Sequence, residues 1–290
     1  MVTRSRLAWS CVVALVTCVP VGPLAMQRPS VSVRVAPDFD IRDRRTIVTD
    51  SARATEAASE LRARRPGVVA RFDGRKGIRT FHAPVSGLSG PDRRAAVDVA
   101  RTFLASADSA LLDLDPEDIE TLQVREAADN TSKKSRLVYF DQSIDGVPVF
   151  DGVVAVHLAS DGRVVRVVSS AASPRGRLRG GIVGAEEAVR LAAGNVRAQL
   201  DSFQPVAIDR GEGPEQRTRM ARGPLACEPV ASLVYFPMDG QLRSAWLVLV
   251  QPEGAPQPYE IVVDARTGRI LLRRSVNRPT TPPSRRAMTM

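Results

Sequence analysis

Tyr139-Phe-Asp-Gln-Ser-Ile-Asp-Gly-Val-Pro-Val-Phe-Asp-Gly152 is the stretch whose reading decides the fold class. Apolar and polar residues alternate on both sides of Asp145-Gly146. An Asp-Gly pair between two alternating runs predicts a β-hairpin, because the tightest hairpin turns need positive φ at both central positions. Reading outward, Arg136 to Ser143 and Val147 to Leu158 become the paired strands. A second turn signal, Asp161-Gly162, leads into a third strand from Arg163 to Ser169. The expectation is an antiparallel meander.

Upstream of the meander the period is helical. A first helix is expected over Ser51 to Arg65, stopped by Pro66-Gly67, followed by two short strands, Val68 to Phe72 and Ile78 to Phe81, around Asp73-Gly74. A second helix is expected from Pro91 to Ala107. Its Ala96, Val99, Ala100, Phe103 and Leu104 recur at i, i+3, i+4, i+7 and i+8 and make one apolar stripe, which Leu111, Leu112 and Leu114 extend. Downstream the theme recurs. Ala185, Ala188, Val189, Ala192 and Val196 mark another amphipathic helix opened by Gly184, with Glu186 and Glu187 favourably placed in its first turn. Asp209 to Gly223 reads as a polar loop. Strands are then expected over Ala231 to Phe236, Ser244 to Gln251, Pro258 to Val263 and Arg269 to Arg273. Thr267-Gly-Arg-Ile-Leu271 echoes Asp161-Gly-Arg-Val-Val165, which suggests two related helix-plus-sheet units.

The 290 residues, 43% hydrophobic and 25% charged, exclude wholesale disorder and a multi-span membrane protein. Residues 1–26 read as a signal peptide. Arg4 and Arg6 precede an apolar run from Leu7 to Val19, broken by Pro20 and Pro23 and closed by the small Ala25. That run is shorter than the roughly 20 residues a spanning helix takes, and Thr17 is a poor neighbour for a lipid anchor on Cys18. Export is therefore expected, to a periplasmic or extracellular location, with no stable membrane insertion after cleavage. Cys11 and Cys18 leave with the leader, and Cys227 remains as a single, buried, inert thiol. The net charge is +9, but the arginines are spread along the whole chain without interleaved aromatics, so nucleic acid is not expected as a partner.

Catalytic constellations are missing from the sequence. His82 and His157 belong to no His-Glu-x-x-His helix, and two separated histidines make an incomplete zinc set. No Gly-x-Ser-x-Gly elbow or phosphate-binding glycine loop occurs. Carboxylate pairs such as Asp113 with Asp115, and Glu117 with Asp118, sit at helix starts, where capping accounts for them. No catalytic residue, cofactor or metal is assigned, and the chain is not expected to be an enzyme.

The hairpin and what surrounds it resemble the fungalysin/thermolysin propeptide domain. Phe140 and Gln142 match its Phe-x-Gln strand end, Gly146, Val147, Pro148, Val149 and Phe150 its Gly-Val-Pro-Val-Phe run, and Asp161, Gly162 and Arg163 its Asp-Gly-Arg hairpin. Asp151 stands where that family usually has Gly. The Pro91 to Ala107 helix with Leu111 to Leu114 is similar to the stretch that precedes the sheet in that family, and Phe39-Asp-Ile-Arg42 to the start of bacterial fungalysin-family proregions. The second half, with Ala245-Trp246-Leu-Val248 and Tyr259 to Leu271, including Asp264, Thr267 and Gly268, is similar to the PepSY-like half of the same proregions.

The resemblance implies an α+β fold of two cystatin-like helix-on-antiparallel-sheet units in tandem. Expected boundaries are a propeptide-like domain over 31–172, a linker over 173–183, a PepSY-like domain over 184–276 and a tail over 277–290. It also implies a non-catalytic protein that binds a secreted zinc metallopeptidase as inhibitor or folding assistant, with Ser275 to Met290 leading toward the peptidase active site. Two alternatives stay open: an exported interaction module without a peptidase partner, and the truncated proregion of such a peptidase. The expected interface positions are Phe140, Gln142, Gly146, Val147, Pro148, Val149, Phe150, Asp161, Gly162, Trp246, Asp264, Thr267 and Gly268.

Overall fold

The computed structural model describes residues 36–44, 49–130, 135–178 and 180–276. The expected signal peptide and tail lie outside the described residues. In chain order the strands are β1 (Phe39–Asp40), β2 (Val69–Asp73), β3 (Ile78–His82), β4 (Leu122–Asn130), β5 (Ser135–Ile144), β6 (Val147–Leu158), β7 (Val164–Ser169), β8 (Arg177–Leu178), β9 (Ala207–Arg210), β10 (Thr218–Met220), β11 (Val230–Met238), β12 (Gln241–Val250), β13 (Tyr259–Asp264) and β14 (Ile270–Ser275). The α-helices are α1 (Ala52–Arg64), α2 (Ala96–Leu104), α3 (Pro116–Glu120) and α4 (Ala185–Val196). The fold class is α+β, mostly sheet with few helices.

The described chain divides into two compact units. The first holds 42–179 together with 234–244, and the second holds the stretch up to Ile41, 180–233 and the chain from Ala245 onward. In the first unit β4, β5, β6, β7, β3 and β2 form an antiparallel sheet in that order. Its inner face buries Val138, Phe140, Val154, Val156, Leu158, Val167 and Phe81 against Ala58 and Leu61 of α1 and Val99, Ala100, Phe103 and Leu104 of α2. Continuous burial of these apolar surfaces, at about 25 cal/mol per Å², is the main force holding the unit together.

Three features depart from the expected elements. Helix α2 starts at Ala96 rather than Pro91, because the Asp92 carboxylate accepts from the Arg94 amide and guanidinium and holds 91–94 in a turn. Leu111 and Leu112 lie in a 3-10 segment, and Pro116 opens a short helix whose Asp115 and Asp118 form a capping box. Strand β4 had no clear alternation: Leu122 is buried, but Gln123 to Ala127 are exposed, as on an edge strand.

In the second unit, β12, β13, β14 and β1 pair antiparallel. Helix α4 lies on this sheet, burying Ala188, Val189, Ala192 and Ala193 completely among Trp246, Val248, Tyr259, Ile261 and Val263. Small alanines let the helix backbone come close to the sheet. The expected polar loop over Asp209 to Gly223 instead holds an antiparallel pair, β9 with β10, and β10 continues onto β11. Thr218 and Met220 are buried on β10, an alternation too short to stand out among polar residues. Residues 173–183 carry a 3-10 turn and the two-residue β8, which pairs parallel with β12 through Leu242 and Arg243. Cys227 is half-buried rather than buried.

Close packing under α4 leaves no room for larger side chains. Ala192→Leu is predicted to lower stability by about 1–3 kcal/mol in urea unfolding, with far-UV dichroism retained in the absence of urea.

Candidate functional site: the motif hairpin and its two sheet faces

At the tip of the β5–β6 hairpin, Asp145 and Gly146 have φ of 52° and 80°, the left-handed pair of a tight hairpin turn. The Asp145 carboxylate pairs with the Arg177 guanidinium at 2.6 Å, and Arg177 also stacks over Tyr235. Tyr235 pairs parallel with Val149. Val147, Val149 and Phe150 are all buried, and Pro148 is half-buried. Phe140 is fully buried, with the Arg101 guanidinium 5.6 Å from its ring centroid.

Gln142 is 1% exposed and grips a single peptide segment from both sides. Its Nε2 donates to the Ala172 carbonyl at 2.8 Å and to Thr121 Oγ1 at 3.2 Å, while its Oε1 accepts from the Ala172 amide at 2.9 Å. The amide thereby ties the chain leaving β7 to the start of β4. A hydrocarbon of equal size would leave both half-buried Ala172 groups without that partner, a cost of about 1 kcal/mol each.

Asp151 has φ of 55° within β6, the left-handed region that favours glycine. The glycine usual at this place in the resembled family therefore has a backbone reason, and aspartate is among the few other residues that tolerate it. Asp151 adds a charge that glycine would lack. Its Oδ2 accepts from Arg42 Nη2 at 3.2 Å, and Arg42 is 5% exposed, with its guanidinium 4.8 Å from the Phe236 ring centroid and 5.9 Å from that of Phe150. A buried guanidinium stacked on two rings and paired with a carboxylate is a structural clamp.

The remaining predicted positions shape turns. Gly162 has φ of 83°, and a Cβ there would sit 1.6 Å from the Asp92 carbonyl oxygen, so only glycine fits. The Asp161 carboxylate accepts from the Arg163 amide. In the second unit, buried Asp264 accepts from the amides of Arg266 and Thr267 at 2.9 Å each, Gly268 has φ of 71°, and Trp246 Nε1 donates to the Val183 carbonyl at 2.8 Å. The two echoing turns differ in length. Ala159 and Arg163 close the first, whereas Asp264 and Arg269 close the second, one residue longer. Phe140, Gln142 and the 146–150 run share the first unit, while Trp246, Asp264, Thr267 and Gly268 belong to the second.

The outer face of the first unit's sheet, opposite the helices, carries what sequence reading left apart. Strand register places His82 of β3 beside Arg166 of β7, and Arg166 beside His157 of β6. The next row holds Arg71, Thr80, Val168, Ala155, Tyr139 and Glu126. The two histidines stand two strand spacings apart, about 10 Å, with Arg166 on the strand between them. Among the described residues no cluster of His, Cys, Asp and Glu could hold a metal.

The family model for the Fungalysin/Thermolysin Propeptide Motif matches residues 129–171, which span β5, β6 and β7 and the turns between them. No curated protein matches the sequence. Among solved structures, the chain is similar to the Bacillus megaterium YpeB C-terminal domain at 12% identity and a TM-score of 0.31, covering 79% of this chain and 99% of that one.

Two outcomes are expected from this geometry. Asp151→Ala should lower stability by about 1–3 kcal/mol in urea unfolding, because alanine resists positive φ and removes the carboxylate from Arg42; Asp151→Gly should lose less, since it relieves the backbone. The second concerns pH. Burial, and then the charges of Arg166 and His82, hold His157 below the ordinary histidine value. As pH falls through about 6.5 the unfolded chain gains a proton that folded His157 resists, so stability drops. His157→Gln should flatten that drop between about pH 8 and pH 5.

Proposed function

We propose that this chain is a non-catalytic, propeptide-like protein that binds a secreted zinc metallopeptidase, as inhibitor, folding assistant or both. The observation that carries the reading is the propeptide-motif match on β5 to β7. Within the matched stretch, Gln142 ties the chain after β7 to β5, and Gly146 and Gly162 hold the positive φ that its turns need. A preformed sheet presenting fixed edges and faces is suited to hold a partner during folding and to exclude substrate while bound.

Within this reading the two units are cystatin-like, each a helix laid on an antiparallel sheet, with the second of PepSY type. The chain is exported, its leader is removed at about residue 26, and the segment after Ser275 is the piece of sequence that leads to the peptidase active site. Among the described residues no helix is long and apolar enough to cross a membrane.

The test is titration of the purified chain lacking its leader into a fungalysin-type zinc peptidase from the same source, following peptide hydrolysis and, in parallel, recovery of activity from denatured peptidase. Saturable inhibition at about micromolar concentration or tighter, or a gain in refolded peptidase, is the expected result. Absence of both overturns the reading.

A further inference from the structure

Among the described residues, α1 and α2 pack on the inner face of the first unit's sheet, and the charge on its outer face is uneven. His82, Arg166 and His157 form a row across β3, β7 and β6, each about 4.8 Å from the next strand's member. Among the described residues none of the three side chains has a hydrogen-bond or ion-pair partner. Arg71 on β2 lies diagonally beside His82 and is likewise without an acidic partner. The acids on this face are set away from the row. Asp73 lies at the far end of β2, where it caps the turn through the Arg75 amide. Asp141 is paired with Arg125 at 3.0 Å, and Glu126 is on edge strand β4. Around the row, Val69, Leu137, Val168 and Tyr139 are exposed or half-exposed.

We propose that His82, Arg166 and His157 form a recognition site for carboxylate side chains of a protein partner. Three donors spanning about 10 Å suit two carboxylates on one helix face or on alternate residues of a strand. The apolar frame favours a folded or folding polypeptide over a polyanion. Phosphate backbones and anionic lipid surfaces are held by many permanent charges, whereas only Arg166 and Arg71 are always charged here.

A carboxylate partner holds the charged form of a histidine more tightly than the neutral form, so the site strengthens as the medium acidifies. A bound carboxylate offsets the repulsion that Arg166 and His82 exert on charged His157, so binding and proton uptake help one another. The site goes beyond the propeptide reading and does not rest on it, because its partner is defined by acidic side chains alone.

The test uses the chain lacking its leader and hexaglutamate peptide as the probe at low salt, reading both histidine side chains by NMR. This is unambiguous because the sequence holds only two histidines. The expected result is saturable shifts of both, with affinity about tenfold tighter near pH 5.5 than near pH 8. Arg166→Ala should weaken binding about tenfold at both pH values, and His82→Gln with His157→Gln together should remove the pH dependence while dichroism shows the fold intact. Histidine signals unmoved by the peptide, or affinity independent of pH, overturn the proposal. Displacement of the peptide by a DNA duplex or by phosphatidylserine vesicles that bind more tightly through the same residues overturns the choice of a protein partner. Peptidase inhibition is read in a separate assay, so failure of one reading leaves the other measurable.

Discussion

The register that the Asp145-Gly146 turn imposes on β5 and β6 is the constraint on which the first unit depends. Side chains alternate faces along a strand, so a slip of one residue would carry Val138, Phe140 and Gln142 out to solvent and bring Tyr139 and Asp141 into the core. Both turn residues hold positive φ, and Arg177 clamps the Asp145 carboxylate. With that register set, Phe140 reaches the α2 side of the sheet and Gln142 reaches Ala172. The outer row is set by the same pairing, because β6 hands its register on to β7 and β3. A turn at one end of the sheet thus determines which charges meet on its far face.

The parts of the fold legible in the sequence were those with a local signal. Asp145-Gly146 and Asp161-Gly162 announce their turns by composition, and α4 by its apolar spacing, and these elements stand where the pattern placed them. What stayed hidden depended on tertiary partners. Strand β4 is exposed along most of its length and is a strand because β5 offers it a ladder. Strands β9 and β10 are short and polar, and their burial at Thr218 and Met220 comes from pairing with β11. Helix α2 starts later than its apolar spacing predicts because the Asp92 side chain captures Arg94, an alternative hydrogen-bonding route that Asp offers near helix starts.

The candidate site shows the same division. Motif positions were visible one by one, and the structure explains them as backbone requirements and buried clamps: Gly162 by the Asp92 carbonyl, Asp151 by its left-handed φ, Gln142 by Ala172. The row of His82, Arg166 and His157 could not be read in advance. The residues lie as far apart as 84 and 75 positions along the chain, and their meeting depends on β3 pairing with β7, which no local pattern announces. Single histidines on separate strands look inert in one dimension, and only the pairing reveals a shared face.

Strong motif signal and open surface are therefore complementary here. The motif residues hold one face of the sheet against α1 and α2 and close its turns, while the opposite face carries the row of His82, Arg166 and His157. On that face, an arginine between two histidines, none of them with a hydrogen-bond or ion-pair partner among the described residues, is an arrangement that folding alone does not favour. Neighbouring like charges on a sheet repel and lower stability, and beside the larger effect of burial the charges of Arg166 and His82 add to what holds His157 below the ordinary histidine value. Carboxylates brought from outside would turn this repulsion into attraction, and the gain would be largest where the histidines are charged. A face that is slightly unfavourable alone and favourable when covered is what the proposed binding requires, and the pairing of β3, β7 and β6 keeps the three groups in line.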